Sequence, residues 1–266
     1  MERCRLCGGE LKSQFTSRLL GRYDVSYFRC SGCGSLQTER PYWLDEAYKL
    51  ALTSTDVGAV NRCLENRAIV SVLAKCLIGS RYRMLDFGGG QGLLCRLLRD
   101  VGVDAWTFDS VSKSDLAQAF SVTLDAVQPG SFEVVTAFEV LEHLSQPDVE
   151  LSQLFGLAPK ILITSTEPYG EGIGADWWYL SPATGQHIFF YSQKALRRIA
   201  EQFGYHLYEF GSMQVFSRSP ISSLTLAVIR AGLSRKGRRL LRTMIEASPT
   251  AQHIGRDFQA TLGMKK

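Results

Sequence analysis

Apolar positions between residues 83 and 218 form short runs that alternate with stretches of helical periodicity. The runs that predict strands are 84–87, 105–108, 133–138 and 161–164. The helical stretches are 92–101, about 146–157 and 193–203, and Ser192 is a good N-cap for the last of them. Near-continuous apolar strands alternating with helices are typical of a parallel, doubly wound sheet. The pattern therefore predicts an α/β domain.

The flanking segments have other patterns. Residues 1–40 are short of apolar runs and punctuated by cysteine and glycine, whereas apolar positions such as Ile69, Leu73 and Leu77 predict helix within 41–80. Two strand-like runs around Gly211 and Ser212 predict a closing hairpin over 206–210 and 213–217. The expected parts are an N-terminal module (1–40), a helical linker or cap (41–80), the α/β domain (81–218) and a C-terminal tail (219–266).

Composition places the chain among ordinary globular proteins. Of its 266 residues, 45% are hydrophobic and 21% charged, which excludes a disordered, collagenous or coiled-coil chain. The first residues lack the apolar stretch of a signal peptide, and the longest aliphatic runs, such as 226–229, are far shorter than a membrane span of about 20 residues. We therefore expect a cytoplasmic protein, whose cysteines are metal ligands or core residues rather than disulfides.

Two Cys-x2-Cys knuckles stand in the N-terminal module, and a glycine follows each one. Cys4 and Cys7 form the first knuckle, and Cys30 and Cys33 form the second. Each turn directs two thiolates at one ion, and the trailing glycine lets backbone N–H groups face the sulfurs. The spacing predicts a closed Cys4 zinc site. Such a site has no open coordination position, so it folds the module and performs no chemistry.

A glycine-rich loop follows the first predicted strand of the α/β domain and opens a helix. It carries Asp86 and four glycines, Gly88, Gly89, Gly90 and Gly92. No Gly-Lys-Ser/Thr follows, so a nucleoside-triphosphate P-loop is excluded. Asp109 ends the next predicted strand, where a carboxylate can accept hydrogen bonds from both ribose hydroxyls of a nucleoside. The loop and Asp109 together predict a nucleoside-containing ligand.

Three motifs in this order resemble the class I S-adenosylmethionine-dependent methyltransferases. They are the Asp86–Gly92 loop, the segment Ala137–His143 after a strand, and the segment Thr184–Ser192 that leads into a helix. The resemblance implies a Rossmann-like seven-stranded sheet and S-adenosylmethionine as cofactor. The expected cofactor-binding residues are Asp86, Gly88, Gly89, Gly90, Gly92, Asp109, Ser110 and Phe138.

Within that class, the order of the motifs is similar to methyltransferases of bacterial sugar and polysaccharide biosynthesis. Some of these carry an N-terminal Cys4 zinc module, and a histidine in a segment matching that of His187 acts as their general base. The sugar C-methyltransferases have a further large C-terminal domain, whereas this chain has a short basic tail. The resemblance therefore implies a sugar or glycan acceptor without identifying it.

Two histidines are candidates for the catalytic base. Methyl transfer to an alcohol requires removal of the hydroxyl proton, and an imidazole suits that task. His187 lies on the loop after the strand at 161–164, and His143 follows the strand at 133–138, so both are expected near the carboxyl edge where ligands bind. We expect His187 to be the base and keep His143 as the alternative.

A glycine-rich loop with three adjacent aromatic residues follows Glu167. Trp177, Trp178 and Tyr179 could stack on a sugar ring or cover the site, or they could pack the loop onto the sheet. With Glu167 they are the candidate substrate-binding residues.

The tail has nine basic and two acidic residues between 220 and 266, although the whole chain carries only +4. On a helical wheel, Leu233, Leu240, Leu241 and Met244 share one face, and four arginines from 235 to 242 lie on the other. Such a helix can dock on its own domain, lie on an anionic membrane surface, or bind a lipid-linked glycan or, less favourably, nucleic acid.

Two alternatives to a sugar methyltransferase stay open. An RNA methyltransferase could grip a phosphate backbone with the zinc module and the basic tail. A non-catalytic scaffold could keep the fold without the chemistry, although such a scaffold requires neither the glycine loop nor Asp109.

Overall fold

The structure is a computed structural model, and it describes residues 2–49, 57–246 and 251–263. The strands are β1 (Leu11–Leu19), β2 (Tyr23–Cys30), β3 (Leu36–Thr38), β4 (Arg83–Phe87), β5 (Asp104–Phe108), β6 (Val134–Phe138), β7 (Ile161–Ser165), β8 (Phe189–Phe190), β9 (His206–Phe210) and β10 (Met213–Ser217). The α-helices are α1 (Leu44–Ala47), α2 (Ala59–Leu77), α3 (Leu93–Asp100), α4 (Pro147–Gly156), α5 (Gln193–Phe203), α6 (Ser223–Leu233), α7 (Arg235–Glu246) and α8 (Ala251–Gly263).

The larger sheet confirms the predicted α/β fold. Its strand order is β5-β4-β6-β7-β10-β9, and β4 runs parallel to both of its neighbours. Among the described residues the sheet has six strands, one fewer than the resemblance implies. The predicted hairpin forms its edge, because β9 and β10 are neighbours joined through Gly211 and Ser212.

Helix boundaries agree closely with the sequence signals. Ser192 caps α5, with its side chain accepting a 3.0 Å hydrogen bond from the Ala195 N–H, and Gly204 ends that helix in the left-handed conformation. The predicted stretches 92–101 and 146–157 are α3 and α4. Capping residues and apolar periodicity were therefore sufficient to predict where these helices begin and end.

A second, four-stranded sheet has the order β1-β2-β3-β8. Its first three strands belong to the cysteine module, whereas β8 lies in the segment before α5, for which the sequence predicts no strand. Leu36 and Gln37 of β3 pair with Phe190 and Phe189 of β8. The sequence pattern missed β8, because a two-residue strand has no periodicity to detect.

Contacts divide the chain into two compact units. One comprises residues 2–49, 138–156 and 164–216, and its core combines Tyr27, Trp43, Leu180 and Phe190, which are all buried. The Trp43 indole N–H donates a 2.7 Å hydrogen bond to the Gly185 carbonyl, so this large side chain is buried without leaving its polar atom unpaired.

The other unit comprises residues 57–137, 157–163, 217–246 and 251–263. Within it, α8 is fixed to α3 by Asp257, whose carboxylate accepts hydrogen bonds from Arg99 at 2.7 and 2.9 Å and from Arg96 at 2.6 Å. Burial acts to raise the pKa of Asp257, but the two arginines outweigh it and hold that pKa below its ordinary value. This part of the tail therefore docks on its own domain.

The apolar face expected in α7 is only partly buried in the structure. Leu233, at the end of α6, and Leu241 are half-buried, but Leu240 is 63% exposed, and the side chain of Met244 lies outside the described residues. Arg238 pairs with Glu65 at 3.3 Å, whereas Arg239 is exposed. Within the part of the chain that the structure describes, every helix is too short or too polar to cross a bilayer.

Candidate functional site

The four cysteine side chains of the N-terminal module meet at one point. Their sulfurs all lie within 4.8 Å of one another, and the Sγ–Sγ distances are 3.7 Å for Cys4–Cys33 and 3.5 Å for Cys7–Cys30. A tetrahedral zinc ion with Zn–S bonds of about 2.3 Å requires sulfurs roughly 3.8 Å apart. The arrangement therefore fits zinc.

Backbone around the cysteines has little free space. A Cβ at Gly9 would lie 2.8 Å from the Cys30 sulfur, and the Cys33 N–H donates to that same sulfur at 3.5 Å. A hydrogen bond from Cys4 lowers the pKa of the Cys33 thiol to about 5, which favours the thiolate that a metal ion binds. The same hydrogen bond raises the pKa of Cys4, and burial raises the pKa of Cys7, so it is the geometry of the sulfurs that supports a four-cysteine metal site.

The glycine-rich loop is held to the end of β5 by backbone hydrogen bonds. The N–H groups of Gly88 and Gly89 both donate to the Phe108 carbonyl, at 2.8 and 3.1 Å. Gly88, Gly90 and Gly92 have positive φ values of 71°, 56° and 81°, a region that side chains rarely adopt. A Cβ at Gly90 would meet no atom within 4 Å, so the backbone there faces open space that a ligand can approach.

Two aspartates lie beside this loop, Asp86 in β4 and Asp109 after β5. Asp86 is almost fully buried and accepts a 2.7 Å hydrogen bond from the Thr136 hydroxyl. Burial raises the pKa of Asp86 to about 7, and the charge of Asp109 adds to the effect against the Thr136 bond. Asp109 accepts from the Gly90 N–H at 2.8 Å and from two N–H groups of its own turn. Asp109 therefore positions the loop, a role that the sequence did not indicate, whereas Asp86 ties the end of β4 to β6 through Thr136.

The remaining expected cofactor residues differ in exposure. Ser110 is exposed beside Asp109, and Phe138 is half-buried at the end of β6. Glu139, directly after Phe138, has a φ of 52°, and its N–H donates to the Ser165 hydroxyl at 2.9 Å. A non-glycine residue in this region costs on the order of 1 kcal/mol, and such strain is concentrated at functional sites.

The two candidate histidines lie side by side in the structure. Their ring centroids are 4.9 Å apart in an edge-to-face arrangement. Nδ1 of His187 lies 2.7 Å from the Tyr179 carbonyl, and Nδ1 of His143 lies 3.0 Å from the Gln186 carbonyl. A carbonyl only accepts, so each Nδ1 carries a proton, and a neutral ring in this tautomer has its lone pair on Nε2.

Glu142 completes this group, which we call the histidine cluster (Glu142, His143 and His187). One nitrogen of each imidazole and one carboxylate oxygen lie within 4.8 Å of one another. Oε1 of Glu142 accepts a 2.7 Å hydrogen bond from the Tyr179 hydroxyl, whereas Oε2 is buried and has no hydrogen-bond partner among the described residues.

Burial dominates the electrostatics of the histidine cluster. It raises the pKa of Glu142, against the opposing charge of His187 and the bond from Tyr179. It lowers the pKa of His143 to about 3, and the charge of His187 adds to that effect, so His143 stays neutral near pH 7. Tyr48 supports His143, with its hydroxyl 3.1 Å from Nδ1.

The three adjacent aromatic residues have separate environments. Tyr179 is buried against the histidine cluster, with its ring centroid 4.7 Å from that of His187. Trp177 is half-buried and packs against Tyr179 and Phe190, so its position agrees with packing of the loop rather than with stacking on a sugar. Trp178 is 73% exposed and is available to an external partner, and Glu167 is half-buried.

Sequence reasoning missed Glu142, Tyr48 and Gln186 as members of this site. Glu142 stands next to His143 in the quoted motif, so a carboxylate and an imidazole in adjacent positions after a strand were a signal. Tyr48 and Gln186 carry no local signal, because each contacts His143 only through the tertiary fold.

Comparison with known proteins gives one family and several distant structures. The family model of a methyltransferase domain matches residues 59–209. No curated protein sequence matches the chain. One similar structure is the magnesium protoporphyrin IX methyltransferase ChlM from Synechocystis PCC 6803 with bound SAH, at 16% identity and a TM-score of 0.46, covering 68% of this chain and 98% of that one.

Two other structures are similar at the same level. The bifunctional kinase-methyltransferase WbdD is 17% identical with a TM-score of 0.42, and the match covers 68% of this chain and 43% of that one. The mitomycin 7-O-methyltransferase MmcR is 15% identical with a TM-score of 0.43, with 58% and 54% covered.

Proposed function

The chain belongs to the methyltransferase-domain family and is an S-adenosylmethionine-dependent methyltransferase, and we propose that its acceptor is a hydroxyl of a sugar unit. The sugar would be part of a glycan or of its nucleotide-linked precursor. The observation that carries this proposal is the histidine cluster, because an alcohol must lose a proton during transfer and two imidazoles lie together with their Nδ1 atoms on backbone carbonyls, which directs the lone pair of a neutral ring to Nε2.

The proton has a defined route in this proposal. S-adenosylmethionine, when bound, supplies a methyl group on a positively charged sulfur. The acceptor oxygen would take the methyl group, S-adenosylhomocysteine would leave, and the hydroxyl proton would move to Nε2 of His187. The Tyr179 carbonyl holds the Nδ1–H of that ring at 2.7 Å, which fixes its orientation and stabilises the charged form. Most of the remaining catalysis comes from alignment.

The cofactor would lie against the glycine-rich loop. Gly88, Gly89, Gly90 and Gly92 would let the backbone pass close to it, with Asp109 holding the loop and Ser110 exposed beside Asp109. Asp86 and Phe138 stay expected cofactor residues. The open space above Gly90 and the exposed Ser110 support this assignment.

The sugar acceptor rests on the resemblance and on one exposed aromatic residue. Trp178 presents its ring to solvent, and aromatic faces stack on sugar rings. Glu167 would accept hydrogen bonds from sugar hydroxyls nearby. The basic tail would assist with an acidic or lipid-linked glycan at an anionic membrane surface, because Arg235, Lys236 and Arg239 are exposed on α7.

Cys4, Cys7, Cys30 and Cys33 would hold a structural Zn²⁺ ion. Four sulfurs fill the tetrahedral shell, so the ion would stabilise β1, β2 and β3 and leave no position for a substrate. Removal of the metal by a chelator would therefore unfold this module.

Calorimetric binding of S-adenosylmethionine to wild type and to Asp109→Ala tests the cofactor assignment. We expect micromolar binding that is lost in the variant, since Asp109 anchors Gly90. An assay for S-adenosylhomocysteine release then compares nucleotide-linked sugars and glycans with RNA. Release with RNA alone would overturn the sugar proposal, and failure of the zinc-loaded protein to bind the cofactor would leave the scaffold alternative.

A further inference from the structure

The histidine cluster brings three electron-pair donors, two imidazoles and one carboxylate, within 4.8 Å of one another. Both imidazoles place Nδ1 on backbone carbonyls, which leaves Nε2 as the nitrogen that can bind a ligand. The Tyr179 hydroxyl serves Oε1 of Glu142, and no described residue serves the buried Oε2. An unpartnered buried carboxylate oxygen is costly, so the cluster requires either a proton or a cation.

The arrangement of the histidines favours a cation. Metal-ligating histidines commonly donate their other ring N–H to a carbonyl or carboxylate, which orients the ring and makes Nε2 more basic. His143 and His187 both have this support, at 3.0 and 2.7 Å, and Tyr179 orients Glu142 in the same way. The ligands and the groups that orient them are thus both present.

We propose that Glu142, His143 and His187 form a binding site for a divalent transition-metal ion. Two imidazoles and one carboxylate are a ligand set for Zn²⁺, Co²⁺ or Fe²⁺, and three protein ligands leave coordination positions open for other molecules. This site differs from the four-cysteine site, where the sulfurs would fill every coordination position of the ion.

The role of this ion deepens the proposed function and rests on it. An oxygen bound to a divalent ion loses its proton more readily, so an acceptor hydroxyl in an open position would become a stronger nucleophile. The hydroxyl proton would then go to water, because Nε2 of His187 is held by the ion. His187 is the proton acceptor when the cluster is empty and a metal ligand when it is filled.

Titration with Co²⁺ tests the site independently of activity. The protein is used as purified, with the metal content of its cysteine site measured first. We expect one further Co²⁺ per chain, with visible d–d absorption but without the intense near-ultraviolet bands of thiolate-bound cobalt. Replacement of a ligand in Glu142→Gln, His143→Gln or His187→Gln should weaken this binding by at least about 100-fold.

One conservative ligand variant and one control keep the result specific. Glu142→Gln preserves the size of the side chain and an oxygen for Tyr179, so it isolates the carboxylate charge. His206→Gln changes an exposed histidine on β9 and should leave Co²⁺ binding unchanged. Absence of the further Co²⁺, or binding by the three ligand variants that is as tight as that of the wild type, would overturn the metal site.

Activity in the presence of a chelator separates the two proposals. The chelator is used at a concentration that leaves the cysteine-bound metal in place, as checked by metal analysis. Loss of methyl transfer that Co²⁺ restores is the expected result. Full transfer without the ion, together with its loss in His187→Gln, would remove the ion from the reaction and keep His187 as the base. Co²⁺ binding without transfer to any hydroxyl acceptor would instead contradict the proposed function.

Discussion

The glycine-rich loop and the histidine cluster are built in different ways. The loop is one continuous segment, and its shape comes from backbone: three glycines with positive φ and two N–H groups on one carbonyl. The histidine cluster is assembled from side chains of two segments distant in sequence, with Glu142 and His143 on one and His187 on the other. A backbone site depends on the absence of side chains, whereas the cluster depends on their chemistry. The two should respond differently to mutation.

Removal of the His187 imidazole should give the largest effect. We expect His187→Ala to reduce turnover about 10²- to 10⁴-fold, because both the base and the ligand roles need Nε2. Affinity for S-adenosylmethionine should be nearly unchanged, since the glycine-rich loop is intact. Initial rates of S-adenosylhomocysteine release and calorimetry measure the two quantities. Full turnover in this variant would remove histidine from the mechanism, and His206→Ala serves as the control.

Asp86 should make stability depend on pH. Its pKa is about 7 in the folded chain against an ordinary value of 3.8, so the folded state binds more protons between these values. Stability therefore falls as pH rises from about 4 to 7, and the accumulated loss is on the order of 2–4 kcal/mol.

Asp86→Asn tests this pH dependence of stability, because an amide cannot ionise and still offers an oxygen to Thr136. We expect the variant to be more stable than wild type at pH 8 and closer to it at pH 5. Urea unfolding at several pH values measures the difference. Parallel curves for the two proteins would contradict the shifted pKa of Asp86.

Gly89 should tolerate no side chain. A Cβ there would lie 2.3 Å from the Thr107 hydroxyl oxygen and 2.7 Å from Oδ2 of Asp86. Gly89→Ala should destabilise the loop by about 1–3 kcal/mol and weaken cofactor binding roughly tenfold or more. Gly156→Ala is the matched control, because a Cβ at that position meets no atom within 4 Å. Unchanged cofactor affinity in Gly89→Ala would sink the view that the loop works through bare backbone.

Trp178 should give the smallest change in stability. The ring is 73% exposed, so Trp178→Ala should change the free energy of unfolding by no more than about 0.5 kcal/mol. The KM for the acceptor should rise if the ring stacks on a sugar. Trp177→Ala should destabilise the chain more, since that ring packs against Tyr179 and Phe190. An unchanged KM in Trp178→Ala would exclude the stacking role.

Local sequence signals were sufficient for most elements of the sheet and its helices. Ser192 and Gly204 marked the two ends of α5, and short apolar runs located β4 to β7 within about two residues. The cysteine spacing also predicted which four sulfurs would meet. These features depend on neighbours in the chain, so periodicity and capping residues carry the information.

Pairing between distant segments was not available from such signals. β8 is two residues long and exists because β3 supplies hydrogen-bond partners to Phe189 and Phe190. The sequence likewise presented His143 and His187 as alternatives, but the structure places their rings in contact.

By itself, the sequence determined the α/β fold, the glycine-rich loop and the cysteine knuckles, because each is encoded in spacings of a few residues. Only the tertiary structure decided that Glu142, His143 and His187 share one centre and that Asp257 fixes α8 to α3. The physical reason is that a lone pair or a charge acquires its function from the groups around it. Remote segments supply those groups, both as backbone carbonyls and as the side chains that bury the cluster.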